Sequence, residues 1–361
     1  MNQLNLQMSL AFVMPVFICM ILVPGIIKIS LRLNLVDMPN ERKVHSKPIP
    51  RFGGIAIFLS AWSGISLAHI GLKAVVYWPV LFSSLGLLFL VGVWDDLKNI
   101  SAKLRFVIQI GCALAIAATG LRLTSTFGIF GTHALSTPAQ YLVTTLVIVG
   151  STNAFNLIDG VDGLAGGLSF IGLLVLSYVA FKLALYPLLA VILAFAGAVL
   201  GFLRNNMSPA KIFMGDGGSL VLGYLISTGG ILLIQKASST PHSILPSKVA
   251  ILVISILVIP VFDTLRVFAF RIRKGISPFK ADKTHIHHLF LVAGMNHRRT
   301  SLFLYAFEAL LILLAMFLSN STGVSIVIVI MVFLFHVVTK ILRVNQEMEN
   351  WLAVIKKMER E

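Results

Sequence analysis

The feature that most constrains this chain is a series of long stretches without a formal charge. Residues 8–27, 52–72, 74–94, 106–121, 163–181, 183–203 and 217–235 contain no Asp, Glu, Lys or Arg. Residues 123–158 are also free of charge, and their last part looks the most helical. Residues 249–262 run on into an amphipathic end, 300–318 carry one acid, and 319–339 complete the set. A membrane-spanning helix needs about 20 apolar residues, and its backbone must satisfy its own hydrogen bonds inside lipid. The pattern therefore predicts an all-α, polytopic integral membrane protein of about eleven transmembrane helices. The first run reads as a span rather than a leader, because residues 1–7 carry no positive charge and no A-x-A site follows. No strong repeat or low-complexity tract divides the chain. The expected layout is one transmembrane catalytic unit over 1–342 and a short cytoplasmic tail over 343–361.

Composition agrees. Of 361 residues, 57% are hydrophobic and 12% charged, which is too apolar for a soluble chain of this size. The net charge of +15 would suggest nucleic acid in a soluble protein. In a membrane protein, basic loops on the cytoplasmic side explain it better, so no nucleic-acid partner is expected. With the N-terminus outside and spans alternating, 24 of the 29 Lys and Arg fall on one side, from Lys28 to Arg360. The other five are Lys73, Arg122, Lys182, Lys236 and Lys248. The richer side is then cytoplasmic, with the C-terminus on it. Cys19 and Cys112 lie in separate apolar runs and read as buried, reduced thiols.

With that topology the unusual polar residues collect on one face. "VWDDLKNI" puts Asp95 and Asp96 at the end of the third expected span. "NAFNLIDGVDGLAGG" ends the fifth, with Asn153, Asn156, Asp159 and Asp162 at steps of three. "KIFMGDGGSL" brings Asp216 to the start of the eighth. "SPFKADKTHIHHLF" carries His285, His287 and His288 in the longest cytoplasmic loop. Each has a bland reading: solvated helix ends, Asp-Gly turns, loop histidines. A calcium loop would place ligands at alternate positions, which steps of three do not. The histidines lack zinc spacing and have no cysteine nearby. Glu308 is expected to pack against a polar neighbour, and Asp263 to pair with Arg266 three residues on.

Together the acids suit a metal and a phosphate. Mg²⁺ takes oxygen ligands, a few from protein and the rest from substrate phosphates and water. Asp95 and Asp96 repel each other, so one is suited to hold a proton and act as a base. Small residues beside Asp216 at a helix N-terminus allow N–H groups to approach a diphosphate. Lys98, Lys103, Arg105 and the basic first loop add positive charge.

These five ordered motifs, beginning with "LVDMPNERKVHSKPIPRFGG" and ending with "RKGISPFKADKTHIHHLF", resemble the polyprenyl-phosphate N-acetylhexosamine-1-phosphate transferases over nearly the whole chain. The histidine motif is more similar to the WecA and TagO branch than to MraY. The resemblance implies that undecaprenyl phosphate attacks the β-phosphorus of a UDP-N-acetylamino sugar, with UDP-GlcNAc the first choice. UMP leaves, and a lipid-linked diphospho-sugar begins a surface glycan. It implies Mg²⁺ or Mn²⁺ and a bacterial cytoplasmic membrane, and leaves a homodimer open. Carried over by motif, Asp95 and Asp96 are catalytic, and Asn156 and Asp216 hold the metal. Asn153, Asp159 and Asp162 line the nucleotide site. His285, His287, His288, Lys283 and Arg273 face the sugar and diphosphate. Lys103, Arg105 and Arg51 meet the lipid phosphate. One departure is Lys283, where the family's loop usually has Arg, and the two are not interchangeable at a bidentate phosphate site. The rival reading is a transporter or flippase of lipid-linked anionic substrates, which would call for helices broken at mid-membrane and for related halves.

Overall fold

The structure, a computed structural model, describes residues 2–37, 48–240, 244–277 and 284–358. Among these the chain forms fourteen α-helices, and only two isolated bridges, Asp37 to Ile49 and Ser125 to Ala134. In order the helices are α1 (Asn2–Arg32), α2 (Gly53–Leu67), α3 (Ile70–Tyr77), α4 (Pro79–Lys98) and α5 (Ala102–Ala118). Then come α6 (Thr137–Ile158), α7 (Leu164–Lys182), α8 (Tyr186–Asn206), α9 (Asp216–Ser239) and α10 (Pro246–Leu257). The last are α11 (Asp263–Arg273), α12 (Ile286–Val292), α13 (His297–Leu318) and α14 (Val324–Met358). Local chemistry sets several ends. Pro79, Pro138, Pro187 and Pro246 sit in first turns, where a missing N–H costs nothing. The Ser101 and Asn296 side chains accept from the first turns of α5 and α13. A π-helical turn, Val258–Phe262, joins α10 to α11, and its Pro260 has no N–H for an α-helical bond.

Each of the eleven apolar runs becomes helix. Among the described residues nine spans are long and apolar enough to cross a membrane, counting α10 to α11 as one. The other two runs behave differently. α2 and α3 together are long and apolar enough but are bent by 108°. α5 has 17 residues, the short end of the spanning range. Two runs start late: Trp78 breaks the helix before Pro79, and residues 123–136 form a loop ahead of α6. The boundary expected after 342 falls inside α14, which continues unbroken. The bundle is a multi-pass membrane protein, and the exposed Ile21, Val76, Phe317 and Phe333 would be a liability in water but suit lipid.

The centre is α9. Its most apolar window is fully buried, with α2, α4, α6, α7 and α10 packed around it. α1, α2 and α7 enclose α8 in turn. Two ends can be told apart by contacts. At one, the starts of α2, α5, α7, α9 and α13 meet the ends of α4, α6 and α8. At the other, Gln235 donates to the Gly120 carbonyl (2.7 Å), Lys248 to Asn320 (2.6 Å) and Ser325 to the Gly128 carbonyl (3.1 Å). The bend between α2 and α3 lies near this second end, where Ala68 packs with Ala190 of early α8.

Glu308 is wholly buried in α13, and neither carboxylate oxygen has a hydrogen-bond partner among the described residues. Its polar neighbour is Tyr305, one turn away and within reach of its charge, whose hydroxyl donates to the Gly163 carbonyl (2.5 Å).

Candidate active site

The site is built on the N-terminus of α9. Gly215, at φ 72°, turns the chain so that Asp216 begins the helix. Asp96, in the last turn of α4, accepts from the Asp216 N–H through Oδ1 (3.0 Å) and from the Gly217 N–H through Oδ2 (3.1 Å). A carboxylate from a neighbouring helix thus satisfies two of the free donors of α9 and meets its positive dipole end. Glycines allow this approach: a Cβ at Gly92 would lie 2.5 Å from the Asp216 carbonyl oxygen, and one at Gly54 would strike the Gly218 nitrogen. Asp96 was expected to be a catalytic acid beside Asp95. Both its oxygens are engaged in holding α9.

Asp95 meets side chains as well as the Ile100 backbone. Its Oδ2 accepts from Arg105 Nη1 (2.6 Å), and the same guanidinium nitrogen reaches Asp216 Oδ2. Arg105 enters from the first turn of α5, after the tight connection made by Asn99 in the left-handed conformation. Its position differs from a simple rim cation for the lipid phosphate, because it clamps two acids. Arg51 lies at the mouth, 3.7 Å from Asp37 and 3.5 Å from the Asn99 side-chain oxygen. Lys103 is exposed nearby on α5.

The end of α6 supplies the next layer. Asn156 donates to Ser219 Oγ (3.0 Å), and Ser219 in turn donates to the Gly215 carbonyl (3.1 Å). That chain of bonds brings Asn156 to the same helix start as Asp216. Asn153 turns the other way, donating to Gln109 of α5 and to the Val149 carbonyl (2.8 Å). Asp159, half-buried just past α6, has its pKa pushed up to about 7 by burial, then by the charges of Asp216 and Asp162. Asp162 goes the opposite way. Burial raises it, but His297, the Ala210 N–H and Ser208 outweigh that and hold it below the usual carboxylate range. Its oxygens meet His297 Nδ1 (3.1 Å) and the Ala210 N–H (3.1 Å), so it fastens the α6–α7 turn to α13 and to the loop after α8. Gly163 at φ 78° completes that turn.

The histidine segment closes the far side. His285 Nδ1 bonds Asp263 Oδ2 (2.7 Å), and Asp263 Oδ1 accepts from the Ile286 N–H (2.9 Å) and from Arg266 (2.6 Å). The Asp263–Arg266 pair expected from spacing is present. His287 is 1% exposed, tilted against His288 and packed so closely on Gly160 that a Cβ there would lie 2.5 Å from Nε2. Burial, followed by the neighbouring His288, drives its pKa well below the usual imidazole value. Burial thus favours the neutral ring, which packs between Gly160 and His288. Arg273 is exposed in the last turn of α11, and Lys283 lies outside the described residues. Sequence reasoning missed Gln109, Ser219 and His297, which hold Asn153, Asn156 and Asp162. Ser219 had a signal, since it ends "GDGGS"; the other two lie 44 and 135 residues from their partners.

Asp95 and Asp216 thus share one guanidinium, with Asp96 bonded to the backbone beside them, an excess of negative charge that suits a divalent cation. Comparison with known proteins identifies the family. The pattern of glycosyl transferase family 4 matches residues 78–234, which contain Asp95, Asn156 and Asp216. The chain is 34% identical over 337 residues to a probable undecaprenyl-phosphate N-acetylglucosaminyl 1-phosphate transferase of Bacillus subtilis, covering 93% of this chain and 92% of that one. It is 34% identical to an undecaprenyl-phosphate alpha-N-acetylglucosaminyl 1-phosphate transferase of Yersinia pestis, over 79% of this chain and 77% of the relative. A decaprenyl-phosphate N-acetylglucosaminephosphotransferase of Mycolicibacterium smegmatis is 33% identical, over 77% and 73%. With its acids gathered at one end of an all-helical bundle and relatives matched along most of their length, the chain belongs to the polyprenyl-phosphate N-acetylhexosamine-1-phosphate transferases of glycosyl transferase family 4.

Proposed function

We propose that this protein transfers GlcNAc-1-phosphate from UDP-GlcNAc to undecaprenyl phosphate at the cytoplasmic face of a bacterial membrane. A phosphate oxygen of the lipid attacks the β-phosphorus of the nucleotide sugar. The bond to the UMP oxygen breaks, leaving UMP and a lipid-linked diphospho-sugar. The observation that carries this reading is the Asp95–Arg105–Asp216 cluster at the start of α9, where two carboxylates and a guanidinium meet beside the positive end of a helix. The names of the relatives speak of undecaprenyl phosphate and an N-acetylglucosaminyl 1-phosphate group, and the UDP carrier is part of the proposal.

In this reading Asp216 and the side-chain oxygen of Asn156 hold Mg²⁺ or Mn²⁺. Bound there, the ion would neutralise the diphosphate of the donor. The residues fit because Asn156 and Asp216 are linked through Ser219 and its bond to Gly215. The remaining ligands would come from phosphate and water, since among the described residues no three His, Cys, Asp or Glu side chains form a complete cage. Asp95 orients the attacking phosphate and takes any proton it carries. Arg105 keeps Asp95 and Asp216 together until substrate arrives, and Arg51 and Lys103 draw anions to the mouth. Asp159 lies on the nucleotide side, where a half-buried carboxyl can hold a proton and donate it. Phosphoryl transfer of this kind rests on positioning and charge neutralisation.

The test is purified protein with radiolabelled UDP-GlcNAc, lipid phosphate and Mg²⁺. UMP and a labelled lipid product should appear together, and neither should form without the lipid phosphate. Labelled lipid without UMP, or no turnover from well-folded protein, would overturn the assignment. The orientation has its own check. Cysteines placed at Lys236 or Asn320 should react with an impermeant reagent in intact cells, and one at Arg273 only after permeabilisation.

A further inference from the structure

The end of the bundle away from the active site has a charge imbalance that the transfer reaction does not explain. Residues 69–78, 119–136, 182–185, 236–248 and 319–323 hold Lys73, Arg122, Lys182, Lys236 and Lys248, and no Asp or Glu at all. Among the described residues no carboxylate forms an ion pair with any of them. Three have found weaker partners. Arg122 lies over the Tyr141 ring (4.9 Å), Lys182 over Tyr178 (5.7 Å), and Lys248 donates to Asn320 (2.6 Å). Lys73 is exposed. Lys236 is different. It is half-buried in the last turn of α9, at the edge of a cleft of about 500 Å³ between the start of α4 and the ends of α5 and α9.

The cleft has two kinds of wall. Its floor is apolar, made by Leu81, Ile116 and Leu232, all buried. Its mouth carries Tyr77, Trp78 and Lys236. Tyr77 and Trp78 meet edge to face at 5.9 Å, the amphipathic pair that favours a membrane–water boundary. The Gln235 amide, tied to the Gly120 carbonyl, fixes the helix end that bears Lys236. Beside the mouth, Val76 is 76% exposed and faces where acyl chains would lie. An ammonium group half out of water needs an anion, and the apolar floor next to it needs hydrocarbon.

We propose that this cleft binds an anionic phospholipid of the membrane leaflet at that end, its phosphate on Lys236 and its glycerol and upper acyl chain against Tyr77, Trp78 and the apolar floor. The charge comes from Lys236, and the selection of a lipid over a free phosphate comes from the floor. The site is separate from the transfer centre, so it acts as a structural lipid site.

The experiment is thermal unfolding of the full chain in neutral detergent, with phosphatidylglycerol, phosphatidylcholine or inorganic phosphate added. Phosphatidylglycerol should raise Tm by about 2 °C, and the other two should not. Lys236→Gln should lose that shift, Lys236→Arg should keep it, and Lys182→Gln, remote from the cleft, should keep it. If Lys236→Gln fails to fold, Leu232→Phe, which fills the floor and leaves the charge, should lose the shift. The proposal is overturned if the neutralised or filled variant responds like wild type. It is also overturned if phosphatidylcholine gives the same shift, or if inorganic phosphate does, which would mark a simple anion site.

Discussion

At the scale of single residues, Asp216 carries the sharpest expectation. Helix capping does not require Asp there, because Asp96 already serves the N–H groups of Asp216 and Gly217. Asp216→Asn keeps the shape and the helix start but gives up a full charge. Turnover should fall by about a hundredfold or more, and raising Mg²⁺ should recover part of it, with Tm little changed. Wild-type rates at low Mg²⁺ would place the metal elsewhere. Asp159 predicts a pH effect. Its pKa is raised in the fold to about 7, so its contribution to stability is fully present below the ordinary carboxylate value and is lost as pH rises through about 7. Asp159→Asn removes that loss. In metal-free protein, the variant should gain in Tm over wild type between pH 5 and pH 8, and equal differences at both pH values would rule the idea out. The sequence places Asn156 near the end of one helix and Asp216 at the start of another, and the fold brings both to the start of α9. The sequence could not show that Asp162 is held by His297, or that Asp96 faces a helix end, since no local period records a bond between residues more than a hundred positions apart.

At the scale of elements, the hydrophobic runs announce the spans because lipid demands length and lack of charge, and those are properties of a single segment. What the runs hide is how segments break. The bend between α2 and α3 lies inside the unbroken run 52–72, at His69 with φ 27°, where only packing marks the turn. Glu308 is a similar case: one acid in an apolar helix says nothing of its bonds, and among the described residues its oxygens make none. The crossing of α4 and α9 makes the element-scale prediction. Gly92→Ala puts a methyl group 2.5 Å from the Asp216 carbonyl oxygen, against backbone that cannot swing aside. The two helices must part, and the Asp96 bonds to α9 lengthen. Turnover should fall at least tenfold while the circular dichroism of the helices is unchanged. Gly86→Ala, on the same helix with open space beside it, should be neutral in the same assay.

At the scale of the whole molecule, the buried position of α9 has a consequence for how the protein is made. Apart from α10, the helices that surround it, α2, α4, α6 and α7, all precede it along the chain. The residues of the Asp95–Arg105–Asp216 cluster and Asn156 are likewise complete before residue 240. By the time α9 leaves the ribosome, its neighbours are already in the bilayer to receive a helix whose Gly, Ser and Thr suit close packing against other helices. The later helices then add the histidine segment and the outer wall. Two separately synthesised pieces, 1–242 and 243–361, should therefore find each other when co-expressed, copurify through a tag on one, and restore a measurable fraction of turnover. The first piece alone should insert without activity, and failure of the pair to copurify would show that the two parts must grow as one chain.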